Sequence, residues 1–392
     1  MEIRNYDVCV IGGGINGVGI ARDAALQGLS VCLLEQSELA AGTSSKSTKI
    51  IHGGLRYLEN YDFKMVGEAL RERAILMDVA PDDLITPMEF ILPHEAGLRP
   101  FAMLWAGVKL YNFMAPDSSI FSQSKVSLRG GNYGAPLQER YKNGLSYYDG
   151  WTNDTALVRA NAADAKELGA DIFEHQAIRE MRDEDGVWRI KTDDKTITAR
   201  MAVNATGPWV RQFTGAHNLD EAGLPDIRLV KGSHIIVPRQ YDGDHAYILQ
   251  QDDGRIIFAI PYNDDQTLIG TTEEDFAGDP KDAKISQSEI QYLCAAFNRS
   301  FENKITPDDI IGTYSGVRPL MDDGTKNASK ASRDHSFYKH KKTAAPLWSL
   351  YGGKLTTYRS FAEEVTRAIC KQDGRPYAPH TLTRKLPAGF HI

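Results

Sequence analysis

Apolar and polar positions near the N-terminus follow the pattern of a strand, a helix and a second strand. Residues 6–11 and 30–34 are apolar runs of strand length, and residues 16–26 carry apolar side chains at helical spacing. Two parallel strands joined by a helix form a βαβ unit, the usual beginning of a doubly wound sheet. The pattern therefore predicts a dinucleotide-binding core in this region.

The middle of the chain alternates short apolar runs with turn residues. Residues 172–177, 187–192 and 196–203 have strand character, and the last two are joined like a hairpin around residues 193–194. Four later runs are separated by turns too short for helical crossovers, which indicates a second, antiparallel sheet suited to a substrate. These runs cover residues 234–238, 246–249, 256–260 and 267–270.

Two helices complete the pattern and lead to a predicted division of the chain. Residues 286–301 begin with a capping box, Ser286 and Glu289, and residues 357–370 form the last helix. The fold class is α/β, or α+β overall. The predicted dinucleotide-binding domain is discontinuous, comprising residues 1–80, 150–215 and 340–392, and the predicted substrate-binding domain comprises residues 81–149 and 216–339.

The composition narrows the choice of partners and compartment. The 392 residues are 42% apolar and 25% charged, with a net charge of −7, which gives no general attraction for nucleic acid. The four cysteines lack the spacing of a zinc site or a disulfide framework, so we predict no metal. No secretion signal is evident, and the apolar segment 101–114 contains Lys109 and is too short to span a bilayer. A cytoplasmic location is expected.

A glycine motif stands between the first strand and the first helix. Gly12, Gly14 and Gly17 have the Gly-x-Gly-x-x-Gly spacing, and Glu35 ends the second strand. Such glycines permit a tight turn and the approach of a pyrophosphate to the helix N-terminus, while the acidic residue accepts hydrogen bonds from ribose. The motif fits both NAD and FAD.

A second motif favours FAD over NAD. Residues 203–208 read Val-Asn-Ala-Thr-Gly-Pro, an apolar strand that ends in a turn of small residues at Ala205 and Gly207. This resembles the Ala-Thr-Gly motif of flavoproteins with two dinucleotide folds, in which the turn passes close to the cofactor. Alone, the segment would equally suit an ordinary turn.

A longer resemblance is carried by residues 42–58, which read GTSSKSTKIIHGGLRYL. This run is similar to the flavin-contacting segment of FAD-dependent, respiratory glycerol-3-phosphate dehydrogenases. The segments VKGSH, GTT, YSGVRPL and GGKLTTYR, which begin at residues 230, 270, 314 and 352, resemble the same family. The similarity extends to about Pro387, and the resemblance implies that the chain lacks the C-terminal helical domain into which full-length members continue.

The resemblance implies a two-dinucleotide-binding FAD fold, an antiparallel substrate sheet and non-covalent FAD. The residues that it assigns to the cofactor are Gly12, Gly14, Gly17, Glu35, Gln36, Thr43, Ser44, Ser45, Leu55, Ala177, Ala205, Gly207, Gly353, Leu355 and Thr356.

The resemblance also brings four cations to one pocket. These are Arg56, Arg318, Arg333 and Lys354. Together they suit a phosphate dianion, because arginine makes paired hydrogen bonds and lysine acts as a point charge. Lys354 is also expected to stabilise negative charge on reduced flavin. For each cation, an ordinary surface charge is the alternative. Tyr57 either lines the pocket or packs in the core.

Two histidines are candidate bases, since histidine takes up a proton near neutral pH. His234 is the first choice, and His52, which could instead shape the turn that follows it, is the second. Hydride would leave carbon 2 of sn-glycerol 3-phosphate for the flavin, giving dihydroxyacetone phosphate, and electrons would pass to a quinone.

Alternative functions and further partners stay open. An amine or 2-hydroxy-acid oxidase of the same fold is one alternative, and a flavin-binding protein without turnover is another. The resemblance is compatible with a homodimer and with peripheral contact at the cytoplasmic face of the inner membrane. The aromatic segment 101–114 would supply apolar surface for that contact, but packing in the core is the favoured interpretation of this segment.

Overall fold

The computed structural model of the protein describes residues 3–116, 124–322 and 334–390. Its strands are β1 (Ile3–Ile11), β2 (Val31–Leu34), β3 (Ile50–Ile51), β4 (Ile85–Pro93), β5 (Ser124–Ser127), β6 (Asn143–Thr152), β7 (Asp171–Phe173), β8 (Glu180–Glu184), β9 (Val187–Lys191), β10 (Thr196–Asn204), β11 (Ile227–Pro238), β12 (Ala246–Gln250), β13 (Ile256–Tyr262), β14 (Gln266–Gly270), β15 (Glu274–Asp275), β16 (Gly312–Met321), β17 (His335–Lys339) and β18 (Leu347–Gly352). Its helices are α1 (Ile15–Leu26), α2 (Phe63–Val79), α3 (Phe101–Met114), α4 (Gly131–Gly134), α5 (Asp154–Glu167), α6 (Val210–Ala216), α7 (Gln287–Asn298) and α8 (Tyr358–Asp373).

The first sheet has the strand order β17-β18-β10-β1-β2-β7, with β9 pairing β10 and β8 pairing β9. Strands β18, β10, β1, β2 and β7 run parallel. On one face, α1 packs between α5 and α8 and buries Val18 and Ile20 against the sheet. On the other face, the β8–β9 hairpin buries Trp188 beside Cys9 and Ile11. Burial of these apolar side chains drives the layers together.

The second sheet has the order β15-β11-β14-β13-β12-β4-β6-β3, with β16 on β11 and β5 on β6. Helix α7 covers one face, where Leu293 and Phe297 pack against Ile235 and Ile257. Phe90, Ile248 and Phe258 belong to a separate apolar cluster and line a cavity. The predicted antiparallel pairing is confirmed for β11–β14–β13–β12, whereas β12 pairs in parallel with β4.

Two predicted elements have different bounds in the structure. The strand predicted over residues 172–177 ends at Phe173, because the Gln176 amide then bonds the carbonyl of Glu35 and leaves the ladder. Helix α7 ends at Asn298 rather than residue 301. Its capping box is confirmed: the Ser286 hydroxyl accepts from the Glu289 amide at 3.2 Å, and the Glu289 carboxylate accepts from the Ser286 amide at 2.8 Å.

The predicted domain division stays a prediction. Strand β3 joins the second sheet although the prediction placed residues 1–80 with the first sheet. Helix α3 occupies the apolar segment 101–114 and buries Val108 and Tyr111. Among the described residues, no helix is both long and apolar enough to cross a membrane.

Candidate functional site

A cavity of about 1190 Å³ lies between the two sheets. One end is lined by the glycine turn after β1 and by Glu35 at the end of β2, and the other by Arg318 of β16 and the apolar face of the second sheet. Cavities for small ligands are usually about 300–1,000 Å³, so this one has room for a dinucleotide.

The glycine turn is closed so tightly that side chains would not fit. A Cβ on Gly17 would lie 1.9 Å from the Gly12 carbonyl oxygen, and a Cβ on Gly12 would lie 2.6 Å from the Ala205 carbonyl oxygen. Gly12 also has φ +109°, which L-residues rarely adopt. Because Ala205 belongs to the small-residue turn after β10, both predicted motifs meet here.

The end of β2 presents a fixed carboxylate to the cavity. Glu35 accepts hydrogen bonds from the Gly13 amide at 2.7 Å and from the Ser37 amide at 2.8 Å. A carboxylate has about four acceptor positions, so it keeps capacity for ribose hydroxyls. With the glycine turn and the N-terminus of α1, where Gly14 has no side chain to cap the helix, the donor set fits an adenosine diphosphate moiety.

The segment 42–51 crosses the cavity and is held at both ends. Ser44 accepts from the Ile15 amide at 2.9 Å, and Thr43 donates to the Val317 carbonyl at 2.6 Å. Further along, Lys49 and Ser47 both bind the buried Asp154, at 2.6 and 2.7 Å. The segment therefore connects α1, β16 and α5.

The residues after β3 are supported from below by a buried network. The Tyr111 hydroxyl accepts from the Gly53 amide at 2.7 Å and donates to Asp149, which pairs with Arg73 at 2.5 Å. Burial raises the pKa of Asp149 to about 6 even though Arg73 opposes this shift. A Cβ on Gly53 would lie 2.5 Å from Leu70, so this turn is also restricted to glycine.

Arg318 is a half-buried cation on the cavity wall. Its Nη2 donates to Thr271 Oγ1 at 3.2 Å, and Nη1 has no hydrogen-bond partner among the described residues. Burial lowers the pKa of Arg318, partly offset by Tyr57, but a guanidinium stays charged at neutral pH. A cation with a buried, unused donor suits an anionic ligand, because leaving that donor unpaired is costly.

Lys354 and Tyr57 lie together near this cation. Lys354 Nζ is 4.9 Å from the centre of the Tyr57 ring and 2.9 Å from Met65 Sδ. Arg56 lies at a different part of the wall. Burial raises the pKa of Asp253, but hydrogen bonds from Arg255 and, to a smaller extent, the charge of Arg56 hold it below its usual value. Three of the four predicted cations, Arg56, Arg318 and Lys354, thus line one cavity.

His234 is enclosed rather than exposed to the cavity. Its Nε2 lies 3.0 Å from Thr48 Oγ1, and its ring stacks on Tyr314 with centroids 4.7 Å apart. Burial, followed by the charges of Arg318 and Lys49, lowers the pKa of His234 to about 3. Thr48 lines the cavity, as does His52, whose amide donates to Thr356 Oγ1 at 3.1 Å.

Most of the predicted site residues line the cavity. Those that do are Gly12, Gly14, Glu35, Gln36, Thr43, Ser44, Leu55, Arg56, Tyr57, Ala205, Gly207, Arg318, Gly353, Lys354, Leu355 and Thr356. Gly17, Ser45, Ala177 and His234 lie outside the lining, and Arg333 lies outside the described residues. The roles of all these residues stay predictions.

Other lining residues were missed by the sequence analysis. Gln176 and Ile178 line the cavity on either side of the predicted Ala177. Thr271, which binds Arg318, stands in the GTT segment that was noted without a role. The apolar lining residues Phe90 and Phe258 have no sequence signal that separates them from ordinary strand residues.

Comparisons with known proteins identify relatives over nearly the whole chain. The family model of FAD-dependent oxidoreductases (DAO) matches residues 7–358. The chain is 46% identical to the aerobic glycerol-3-phosphate dehydrogenase of Escherichia coli, covering 94% of this chain and 74% of that protein. It is 43% identical to the glycerol-3-phosphate dehydrogenase of Pseudomonas tolaasii (99% and 76% covered) and 43% identical to the D-erythritol 1-phosphate dehydrogenase of Brucella abortus (92% and 73%).

Solved structures have the same fold. The glycerol-3-phosphate dehydrogenase of Bacillus halodurans, complexed with FAD, superposes with a TM-score of 0.75 at 27% identity, covering 97% of this chain and 68% of that one. The L-α-glycerophosphate oxidase of Mycoplasma pneumoniae, with FAD bound, superposes with a TM-score of 0.70 at 16% identity, covering 94% and 95%. At 16% identity, the second likeness concerns the fold alone.

Proposed function

Because the chain belongs to the family of FAD-dependent glycerol-3-phosphate dehydrogenases, we propose that it oxidises sn-glycerol 3-phosphate to dihydroxyacetone phosphate and passes the electrons to a quinone. The resemblance of residues 42–58 to this family is thereby confirmed, and so are the two-dinucleotide-binding fold and the FAD cofactor. FAD, when bound, would accept the hydride, which carries both electrons of the oxidation. The chain's own residues bind the phosphate, orient the alcohol and receive its proton.

The observation that carries this proposal is the half-buried Arg318 on the cavity wall, whose buried Nη1 has no hydrogen-bond partner among the described residues. Lys354, beside Tyr57 on the same wall, adds a second cation. A phosphate dianion can accept a hydrogen bond from Arg318 Nη1 and is attracted by the charge of Lys354, whereas an amine substrate would bring no anion to this wall. Phosphate binding would also hold carbon 2 in a fixed place, which supplies much of the rate advantage in such reactions.

The proton of the alcohol is assigned to His234, with His52 as the second candidate. In the present geometry His234 reaches the cavity wall through Thr48, and its pKa of about 3 makes it a weak base. A phosphate bound at Arg318 offsets one of the charges that lower this pKa. Substrate binding would therefore make His234 a stronger base, although burial, the largest cause of its low pKa, remains.

A pair of single-turnover experiments separates the two histidines. His234→Ala is expected to slow flavin reduction by about 10²–10⁴-fold at saturating glycerol 3-phosphate, with a smaller effect of His52→Ala. The measurement is anaerobic stopped-flow absorbance. A normal rate in His234→Ala, combined with a large loss in His52→Ala, would move the role to His52.

Delivery of electrons to a quinone would take place at a membrane surface, and α3 offers an apolar face for it. Met103, Trp105, Leu110 and Phe113 are exposed on this helix, and Lys109 and Lys125 lie over the Trp105 ring at 5.6 and 5.1 Å. Aromatic side chains with lysines suit a lipid interface. We propose that this face contacts the membrane peripherally, on its cytoplasmic side.

A homodimer stays a prediction.

A substrate panel tests the proposed reaction against its rivals. We expect the purified protein to reduce a dye acceptor with glycerol 3-phosphate, and to show little activity with glycine, lactate or unphosphorylated glycerol. Activity with glycine or lactate alone would favour the amine or hydroxy-acid oxidase. Bound FAD without activity on any of these compounds would favour a binding protein.

A further inference from the structure

A buried carboxylate outside the cavity, Glu289 of α7, is used by none of the steps above. Its side chain is 1% exposed and pairs with Lys231 of β11 at 2.8 Å. Lys231 also reaches Glu274, 3.4 Å away and 41% exposed. The pair lies beneath β11, on the side covered by α7. Burying the charges of Lys231 and Glu289 costs desolvation free energy, so a structural or functional reason for the pair is expected.

The two oxygens of Glu289 serve different parts of the fold. Oε2 accepts from Lys231 and from the Ser286 amide, which caps α7. Oε1 accepts from the Ser233 hydroxyl at 2.9 Å and the Thr272 hydroxyl at 2.6 Å. Although burial alone raises the pKa of Glu289, these hydrogen bonds hold it below its ordinary value, so the group is a carboxylate at neutral pH.

The residues bound by Oε1 are the chain neighbours of those around Arg318. Thr272 follows Thr271, whose hydroxyl accepts from Arg318 Nη2. Ser233 follows Gly232, and a Cβ on Gly232 would lie 2.7 Å from Nη2 of that guanidinium. The Ser233 amide also donates to Thr272 Oγ1 at 2.8 Å, so one carboxylate fixes both segments.

The same network reaches the strand of Arg318 itself. The Ser233 hydroxyl lies 2.8 Å from the Ser315 hydroxyl, and these residues are register partners in the β11–β16 ladder. In that ladder Val230 is opposite Arg318. Lys231 and Ser233 flank Gly232, the residue of β11 that lies beside the guanidinium. Movement of Ser233 or Thr272 would therefore displace the pocket that holds the guanidinium.

We infer that Glu289 is a positioning residue for the anion-binding guanidinium of Arg318, acting through Thr272 and Ser233. This inference rests on the proposed function, because it deepens the account of phosphate binding. It assigns Glu289 an effect on substrate affinity rather than on the chemical step. Charge-assisted hydrogen bonds from buried groups are strong enough for their loss to change binding about tenfold.

The test compares KM and kcat for glycerol 3-phosphate in matched variants. Glu289→Gln and Thr272→Val are each expected to raise KM about tenfold, with kcat changed by less than about twofold. Thr272→Ser keeps the hydroxyl and should retain the wild-type KM. Glu289→Gln keeps one acceptor oxygen but loses the charge, and Thr272→Val removes the hydroxyl that binds it, so the effects of the two substitutions should be less than additive in the double variant.

A capping variant controls for a merely structural role. Ser286→Ala removes the N-cap hydroxyl of α7 but leaves the contacts of Glu289 Oε1 in place. It should lower the melting temperature without raising KM. A rise of KM in Ser286→Ala as large as that in Thr272→Val would overturn the inference, and so would an unchanged KM in Thr272→Val. The result for Thr272→Val decides the matter even if Glu289→Gln fails to fold.

A binding measurement separates failure of this inference from failure of the proposed function. Inorganic phosphate is titrated into the FAD-bound protein, and its dissociation constant is read from the shift of the flavin spectrum. If the wild type binds phosphate but does not oxidise glycerol 3-phosphate, the proposed function is wrong. In that case, about tenfold weaker phosphate binding in Thr272→Val would still support the role of Glu289. Unchanged phosphate binding in that variant would refute it.

Discussion

At the scale of single residues, the glycines of the first turn differ in how much space surrounds them. A Cβ on Gly17 would overlap the Gly12 carbonyl oxygen at 1.9 Å, whereas a Cβ on Gly14 would meet only the Ser44 hydroxyl at 3.1 Å. A backbone carbonyl in a tight turn cannot yield, but a serine side chain can rotate. The two positions should therefore respond differently to the same substitution.

Gly17→Ala is expected to abolish FAD binding, while Gly14→Ala should retain most of it. The alanine at position 17 would force α1 away from the turn that receives the pyrophosphate. The measurement is the ratio of flavin to protein after purification, with circular dichroism as a control for folding. Full flavin content in folded Gly17→Ala would contradict the described turn.

Arg318 is predicted to determine affinity for the phosphate. Removing one partner of a buried charged pair typically costs about 2–5 kcal/mol of binding, so Arg318→Ala should raise KM for glycerol 3-phosphate by that free energy. Gly232→Ala should also raise KM, because its Cβ would lie within 2.8 Å of both terminal nitrogens. Steady-state kinetics with a dye acceptor measures both. Wild-type KM values would remove Arg318 from the substrate site.

His234 should make the stability of the protein depend on pH. Its folded-state pKa of about 3 lies below the 6.5 of an unperturbed histidine, so the unfolded chain takes up the proton first as the pH falls. The free energy of unfolding should therefore decrease between about pH 6.5 and pH 3. His234→Asn should show a smaller decrease by urea denaturation, and equal slopes for both proteins would contradict the buried position of this histidine.

At the scale of secondary-structure elements, much of the pattern was predictable because it is local. The βαβ unit, the β9–β10 hairpin and the capping box of α7 each depend on residues close in sequence. The end of β7 was not predictable, since it depends on the Gln176 amide bonding Glu35. The anion site was predictable only in part: Arg318 was found by resemblance, but its contact with Thr271 depends on the register of distant strands.

The prediction at the scale of secondary-structure elements concerns the contact of helix α3 with lipid. If its exposed face contacts lipid, the double variant Trp105→Ser/Phe113→Ser should float less with liposomes than the wild type. Phe113 is 86% exposed, so its replacement should cost little stability. Ile311→Ser, at a residue that is 56% exposed but lies elsewhere, is the matched control. Equal flotation of all three proteins, or none in the wild type, would refute the α3 contact.

At the scale of the whole molecule, the cavity connects two sheets with different tasks. The first sheet supplies the glycine turn and Glu35, and the second sheet supplies Arg318 and an apolar wall. The segment 42–51 joins them through Ser44 and Thr43. A dinucleotide bound along this segment would extend from the first sheet towards the second sheet, where the substrate is proposed to bind.

The central claim is that this protein oxidises glycerol 3-phosphate and that its FAD is reduced in the same reaction. The most direct measurement is anaerobic titration of the purified, FAD-loaded 392-residue chain with sn-glycerol 3-phosphate, followed by the flavin absorbance and by assay of dihydroxyacetone phosphate. The account predicts bleaching of the flavin with formation of one dihydroxyacetone phosphate for each flavin reduced. A flavin that dithionite bleaches, but that excess glycerol 3-phosphate leaves fully oxidised, would contradict it.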